Sequence, residues 1–196
     1  MQISHPIFKT LLAIIFVLPL TISAITTSAP IKAQSVINEL SPEEIAGLQF
    51  MIEEEKLARD VYLTLDAQWN QRVFQNISRA EQQHMDAVAS LLTRYDLGNP
   101  VTGNAIGLFS DPDLQALYNQ LVADGSQSLL AALQVGAAIE EIDILDLDEA
   151  MSKTENAAIL QVYASLRRGS ENHLAAFVST WERRSGASYA PQYMSQ

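Results

Sequence analysis

Apolar residues recur at spacings of three and four through most of the chain from residue 41 to 184, the repeat of helices buried along one side. Ser41-Pro42-Glu43-Glu44 opens the first helix: Ser41 can cap it, Pro42 suits its first turn, and Glu44 can complete a capping box. Nothing breaks the pattern from there to about Trp69. A second helix is predicted from about Val73 to Tyr95, stopping before Leu97-Gly98-Asn99-Pro100. Residues 98–110 read as loop, and Asp111-Pro112 opens a short helix that closes at Asp124-Gly125. A third long helix runs from near Ser126 to about Leu147, and a fourth from about Thr154 to Arg184. The first two are joined by a few residues and must be antiparallel, whereas the connection from Asp96 to Gly125, about 30 residues, can travel back along the molecule. The expected architecture is all-α: a four-helix bundle over residues 41–185 with one long crossover carrying a short extra helix, then a loose tail over 186–196.

Each core-facing stripe is interrupted near its middle by an acid, an imidazole or both. The first helix reads Leu48, Ile52, Glu55, Ala58, Tyr62, Leu65, Trp69; the second Ile77, Glu81, His84, Val88, Leu91, Tyr95. The third reads Leu133, Ala137, Glu140, Ile144, Leu147; the fourth Ile159, Val162, Leu166, Ser170, His173, Phe177, Thr180. A lone carboxylate in a core is expensive and needs a partner. Four helices placing such groups at mid-length point to one shared partner, a cation. Oxygen-rich ligands with one or two imidazoles suit iron first, with manganese or zinc as alternatives, and two divalent ions balance about four carboxylates better than one.

Spacing refines the set. Glu81 and His84 are three residues apart, so the Glu can bridge two ions while the His binds one. The second half repeats the first: Glu55 precedes Glu81 by 26 residues, Glu140 precedes Ser170 by 30, and His173 follows Ser170 as His84 follows Glu81. Ser170 therefore stands where a Glu is expected. Glu171 points the wrong way to replace it, whereas Asp143, three residues after Glu140, can supply the missing carboxylate. The candidate ligands are Glu55, Glu81, His84, Glu140, Asp143 and His173. Glu140 is preferred to Glu141, Asp143 has the alternative of a surface acid, and Glu53 and Glu54 are expected in solvent. Tyr62 either donates to a ligand or fills the core with its hydroxyl satisfied.

Composition sets the surroundings. The chain has 12 basic and 23 acidic residues and no cysteine among 196, which excludes disulfide scaffolds, cysteine-bound iron and thiol nucleophiles. An acidic surface repels phosphate backbones, so no nucleic-acid partner is expected. Residues 1–33 carry Lys9 and Lys32, no acid, an apolar run over 11–25 and small residues at Ala24 and Ala33, the layout of a secretory signal peptide. Cleavage near Ala33 leaves a linker over 34–40 and ten basic against 23 acidic residues. The expected location is secreted or periplasmic.

The connectivity and motifs resemble the ferritin-like superfamily, and rubrerythrin-like di-iron proteins most closely. Glu55-Lys56-Leu57-Ala58-Arg59-Asp60-Val61-Tyr62 is similar to the rubrerythrin pattern Glu-x-x-Ala-Arg-x-x-Tyr, and Ala80-Glu81-Gln82-Gln83-His84 to its Glu-x-x-His. Glu140 with Asp143 resembles the paired carboxylates of its third helix. Residues 40–184 also resemble a ferritin-like family of domains of unknown function, through the phrases at 53–62 and 169–174. The resemblance implies a bundle holding two metal ions, oxidation of Fe(II) or reduction of oxygen or peroxide, an external electron donor, and pairing into a homodimer through long helix faces. Ser170 departs from a symmetric site. A non-enzymatic bundle that sequesters metal or binds other proteins is the alternative. A hydrolase is disfavoured because no Gly-x-Ser-x-Gly run occurs.

Overall fold

A computed structural model describes residues 40–194. The expected signal peptide, residues 1–33, and the expected linker up to residue 39 lie outside the described residues. The described chain is all-helical: α1 Pro42–Trp69, α2 Arg72–Arg94, α3 Pro112–Gly125, α4 Leu129–Ser152 and α5 Ala157–Ser185. No helix of the described residues is long and apolar enough to cross a membrane.

Local chemistry fixes the helix ends. Ser41 Oγ accepts from the Glu44 amide at 3.1 Å while Glu44 Oε2 accepts from the Ser41 amide at 2.8 Å, closing the capping box. Asp111, Ser128 and Asn156 cap α3, α4 and α5 through their side chains. Two of these caps move predicted boundaries. With Ser128 as the cap, α4 begins at Leu129 instead of Ser126, and with Asn156 as the cap, α5 begins at Ala157 instead of Thr154. α5 closes on Gly186, whose φ of 72° is the left-handed conformation that glycine adopts freely.

Contacts at the helix ends establish the directions. The Tyr95 hydroxyl at the end of α2 donates to Asn156 at the start of α5 (3.1 Å), and Arg184 at the end of α5 donates to Gln71 at the start of α2 (2.6 Å). Thr154, beyond the end of α4, bonds Glu44 at the start of α1, and Trp69 Nε1 at the end of α1 donates to Gly125 O at 3.0 Å. α1 is therefore antiparallel to α2 and α4, α5 is antiparallel to both, and the crossover makes α2 and α4 parallel. The core at one end is built from Leu48, Met51, Ile52, Val88, Leu92, Leu147 and Leu166. At the other end Tyr62, Phe74 and Phe177 pack with ring centroids 5.1 to 6.2 Å apart. Gly136 lets α5 come close there: a Cβ on it would lie 2.5 Å from Phe177 Cε1.

Candidate metal centre

Between those two apolar ends, Glu55 of α1, Glu81 and His84 of α2, Glu140 of α4 and His173 of α5 turn into the bundle. The three glutamates are each 2% exposed or less. Glu81 lies between the imidazoles. Its Oε2 is 2.8 Å from His84 Nδ1, and its Oε1 is 2.8 Å from His173 Nδ1. Glu55 Oε2 approaches His84 Nδ1 at 3.2 Å from one side, and Glu140 Oε2 approaches His173 Nδ1 at 3.4 Å from the other. The rings stack with centroids 5.3 Å apart. Glu81, His84 and His173 present ligand atoms within 4.8 Å of one another, a group that could hold a metal ion.

The donor set fits a cation better than it fits itself. Glu81 Oε1 and His173 Nδ1 are close but not aligned as a hydrogen bond, and both are buried without a hydrogen-bond partner; Glu55 Oε1 is in the same condition. Buried polar atoms are ordinarily paired, so unpaired ones in this cluster make it a candidate for a bound cation. Burial pushes the Glu55 carboxyl well up and Glu140 up to about 8, with the Asp143 charge adding to the first and Glu81 to the second. Burial also raises Asp143 to about 7, against the Ser170 hydroxyl that bonds it. Glu81 goes the other way: burial opposes its charge, but His173 and His84 hold it at about 2. Both imidazoles are raised despite burial, His84 to about 11 by Glu55 and Glu81, and His173 to about 10 by Glu140 and Glu81. Burial thus favours protons on the outer carboxyls, and the flanking carboxylates favour protons on the histidines. Two divalent cations would replace those protons and balance four carboxylates with both imidazoles neutral.

Three residues position this cluster. The Tyr62 hydroxyl, fully buried, donates to Glu140 Oε1 at 2.6 Å, so Tyr62 both fills the core and orients an acid. Ser170 Oγ bonds Asp143 Oδ2, which turns Asp143 inward and joins the residue expected to be Glu to the acid expected to replace it. Gly169 was not singled out from sequence. A Cβ there would lie 2.4 Å from His84 Nε2, so only glycine leaves room for that ring as placed.

Residues 44–196 match the family described as an uncharacterized protein domain, DUF2202. The chain belongs to this family. It is similar to the uncharacterized protein MJ0754 of Methanocaldococcus jannaschii, 49% identical over 157 residues that make up 80% of this chain and 84% of that protein. The crystal structure of hypothetical protein MJ0754 from Methanococcus jannaschii matches the fold with a TM-score of 0.77 at 47% identity, covering 86% of this chain and 93% of that one.

Within this DUF2202 domain one acid differs from expectation. Glu54, expected in solvent, is 7% exposed, and burial together with the nearby Asp146 and Asp143 charges pushes its carboxyl well up. Glu141 is buried too, but away from the centre. It accepts from the Tyr189 hydroxyl (2.9 Å) and from the amides of Gln192 (2.8 Å), Tyr193 (2.6 Å) and Met194 (3.0 Å). The segment expected as a loose tail is thus tied to α4 through residue 194. Glu171 is on the surface with Arg167, as its spacing from His173 requires. Two further polar residues of the 53–62 phrase, Lys56 and Asp60, serve the crossover. Buried Lys56 donates to Asp60 (2.5 Å) and to the carbonyls of Ala105 (3.0 Å) and Leu108 (3.1 Å), and Asp60 also accepts from the Gly107 amide at 2.9 Å.

Proposed function

We propose that this protein is an exported, ferritin-like metal-binding bundle whose centre holds two divalent ions, iron before manganese or zinc. The observation that carries this reading is Glu81, one carboxylate with an imidazole nitrogen 2.8 Å from each of its oxygens and with Oε1 left unpaired. In this reading Glu81 with His84 and His173 would form the heart of the site, and Glu55, Glu140 and Asp143 would add their carboxylates to hold the ions. A paired iron centre would supply redox chemistry, the oxidation of Fe(II) coupled to the reduction of oxygen or peroxide. The chain's own residues hold the ligands apart, exclude bulk water, and keep the Tyr62 hydroxyl on Glu140. Sustained turnover would draw electrons from an external donor, since the chain carries no cysteine for a second iron centre. The composition of residues 1–33 supports export, and the acidic surface disfavours nucleic acid.

Metal analysis after reconstitution tests the reading. About two equivalents of transition metal are expected in the wild type, and Glu81→Ala should lose most of it together with the thermal stabilisation that metal confers. Less than about half an equivalent in the wild type would defeat the proposal. The same close His–Glu approaches favour a second reading, in which protonated imidazoles pair with the carboxylates in a non-enzymatic bundle. Unchanged metal content and melting in Glu81→Ala would select it.

A further inference from the structure

We propose that Glu54 of α1 and Asp146 of α4 form a separate divalent-cation position on the flank of the bundle, next to the central cluster and linked to it by Asp143. Glu54 follows Glu53 and precedes Glu55, and the helical turn carries its side chain to a different side from Glu55. There it meets Asp146, which lies three residues beyond Asp143 on one face of α4. The two carboxyl groups come within hydrogen-bond reach of each other, and among the described residues no donor reaches the buried Oε2 of Glu54 or the buried Oδ2 of Asp146. Glu54 is 7% exposed, so its free oxygen is enclosed, whereas Asp146 is only partly buried and opens the position toward solvent.

Among the described residues no ion pair joins a basic side chain to either acid: Lys153, whose charge reaches Asp146, donates to Glu149 Oε1 at 2.5 Å on the exposed surface. The other groups that feel the Glu54 charge include the acids Asp143 and Glu55 and the Tyr163 hydroxyl, none of them a cation. Two acids whose approaching oxygens meet no donor, and which form no ion pair among the described residues, make a site for an external cation. The donors are all oxygen and one side reaches water, which suits a hard ion that keeps part of its hydration shell: Mn²⁺, Mg²⁺ or Fe²⁺ in preference to zinc. Asp143 then stands between two positions. Its neighbours on one side are Glu55 and Glu81 and on the other Glu54 and Asp146, so acids line the way from the flank to the centre.

The test is crystallographic and uses Mn²⁺ with the full chain. Anomalous data collected after Mn²⁺ addition should show a peak between Glu54 and Asp146, distinct from any peak at Glu81. Glu54→Gln and Asp146→Asn should each abolish that peak and weaken this Mn²⁺ binding, read by electron paramagnetic resonance titration, by at least about tenfold, as loss of an ion's supporting group does. Glu81→Gln should leave it in place. A saturated crystal with no flank peak would overturn the proposal, as would a folded Glu54→Gln protein with unchanged Mn²⁺ stoichiometry, because the acids would then merely share a proton. Asp146 reaches the surface, so Asp146→Asn decides the matter if Glu54→Gln does not fold. A flank peak with an empty centre would uphold this inference and defeat the central one; the converse would do the opposite.

Discussion

Gly169 shows how tightly single residues determine the candidate centre. The His84 ring is held at Nδ1 by Glu81 and Glu55, and its opposite edge lies where a Cβ on residue 169 would be, 2.4 Å from Nε2 and 2.6 Å from Cε1. The ring cannot retreat from an added methyl without moving Nδ1 off its carboxylates. Gly169→Ala should therefore keep the helical circular-dichroism spectrum, destabilise the fold by about 1–3 kcal/mol through overpacking, and weaken metal binding by about 10- to 100-fold. Competition against a chelator of known affinity measures the second effect, and wild-type affinity in the variant would show that His84 is not a ligand. At this scale the sequence was informative where periodicity and chemistry agreed. Glu55, Glu81, Glu140 and His173 interrupt apolar stripes, and all four converge. Gly169 was silent because its role is to lack a side chain opposite a residue on another helix, and no local pattern records that.

At the scale of elements, α1 departs most from a one-sided amphipathic helix. Glu54, Glu55, Lys56, Leu57, Ala58, Asp60, Val61 and Tyr62 are all buried: Glu55 and Tyr62 turn into the bundle, Glu54 meets α4, and the crossover covers Lys56 and Asp60 on a face that meets water in a simple bundle. The helices and the crossover were legible from caps and breakers, but not what the crossover packs against. The i,i+4 spacing of Lys56 and Asp60 does not reveal that they fasten residues 105–108 to α1. Removing one partner of such a buried pair strands the other, so Lys56→Ala should lower stability by about 3–5 kcal/mol. Amide exchange should rise first at residues 105–108, and exchange confined to other segments would show that the pair does not hold the loop. The tail is a parallel case. Its anchor, Glu141, is some 50 residues away in sequence and adjacent to a residue with a different job. Glu141→Ala should cost about 2–3 kcal/mol through lost charge-assisted hydrogen bonds and expose residues 187–194 to protease. Central metal content should be unchanged, since Glu141 faces the tail and Glu140 faces the cluster.

Over the whole molecule, the buried acids and imidazoles couple folding to pH and to metal, and their signs can be worked out. In the metal-free protein Glu140 is raised from 4.5 to about 8 and Asp143 from 3.8 to about 7, and Glu55 and Glu54 are also raised, by burial before anything else. The folded state then binds more protons than the unfolded chain between those values, so stability falls as pH rises through this window. His84 and His173, raised from 6.5 to about 11 and about 10, act in the same direction at higher pH: their stabilisation is complete below 6.5 and is lost as pH climbs through the folded values. Glu81 opposes them. Lowered from 4.5 to about 2, it contributes stability above 4.5 that disappears as pH falls toward 2. The metal-free bundle should therefore melt highest at about pH 5 and progressively lower toward pH 9. Metal reverses this trend, because its ligands must shed the same protons before they bind, so rising pH strengthens binding. The gap in melting temperature between metal-loaded and chelated protein should widen from pH 5 to pH 8, and calorimetry of the two forms across that range measures it. A metal-free protein whose melting temperature rises steadily to pH 8 would mean that the buried acids ionise freely, and that cations are not what the cluster is built to hold.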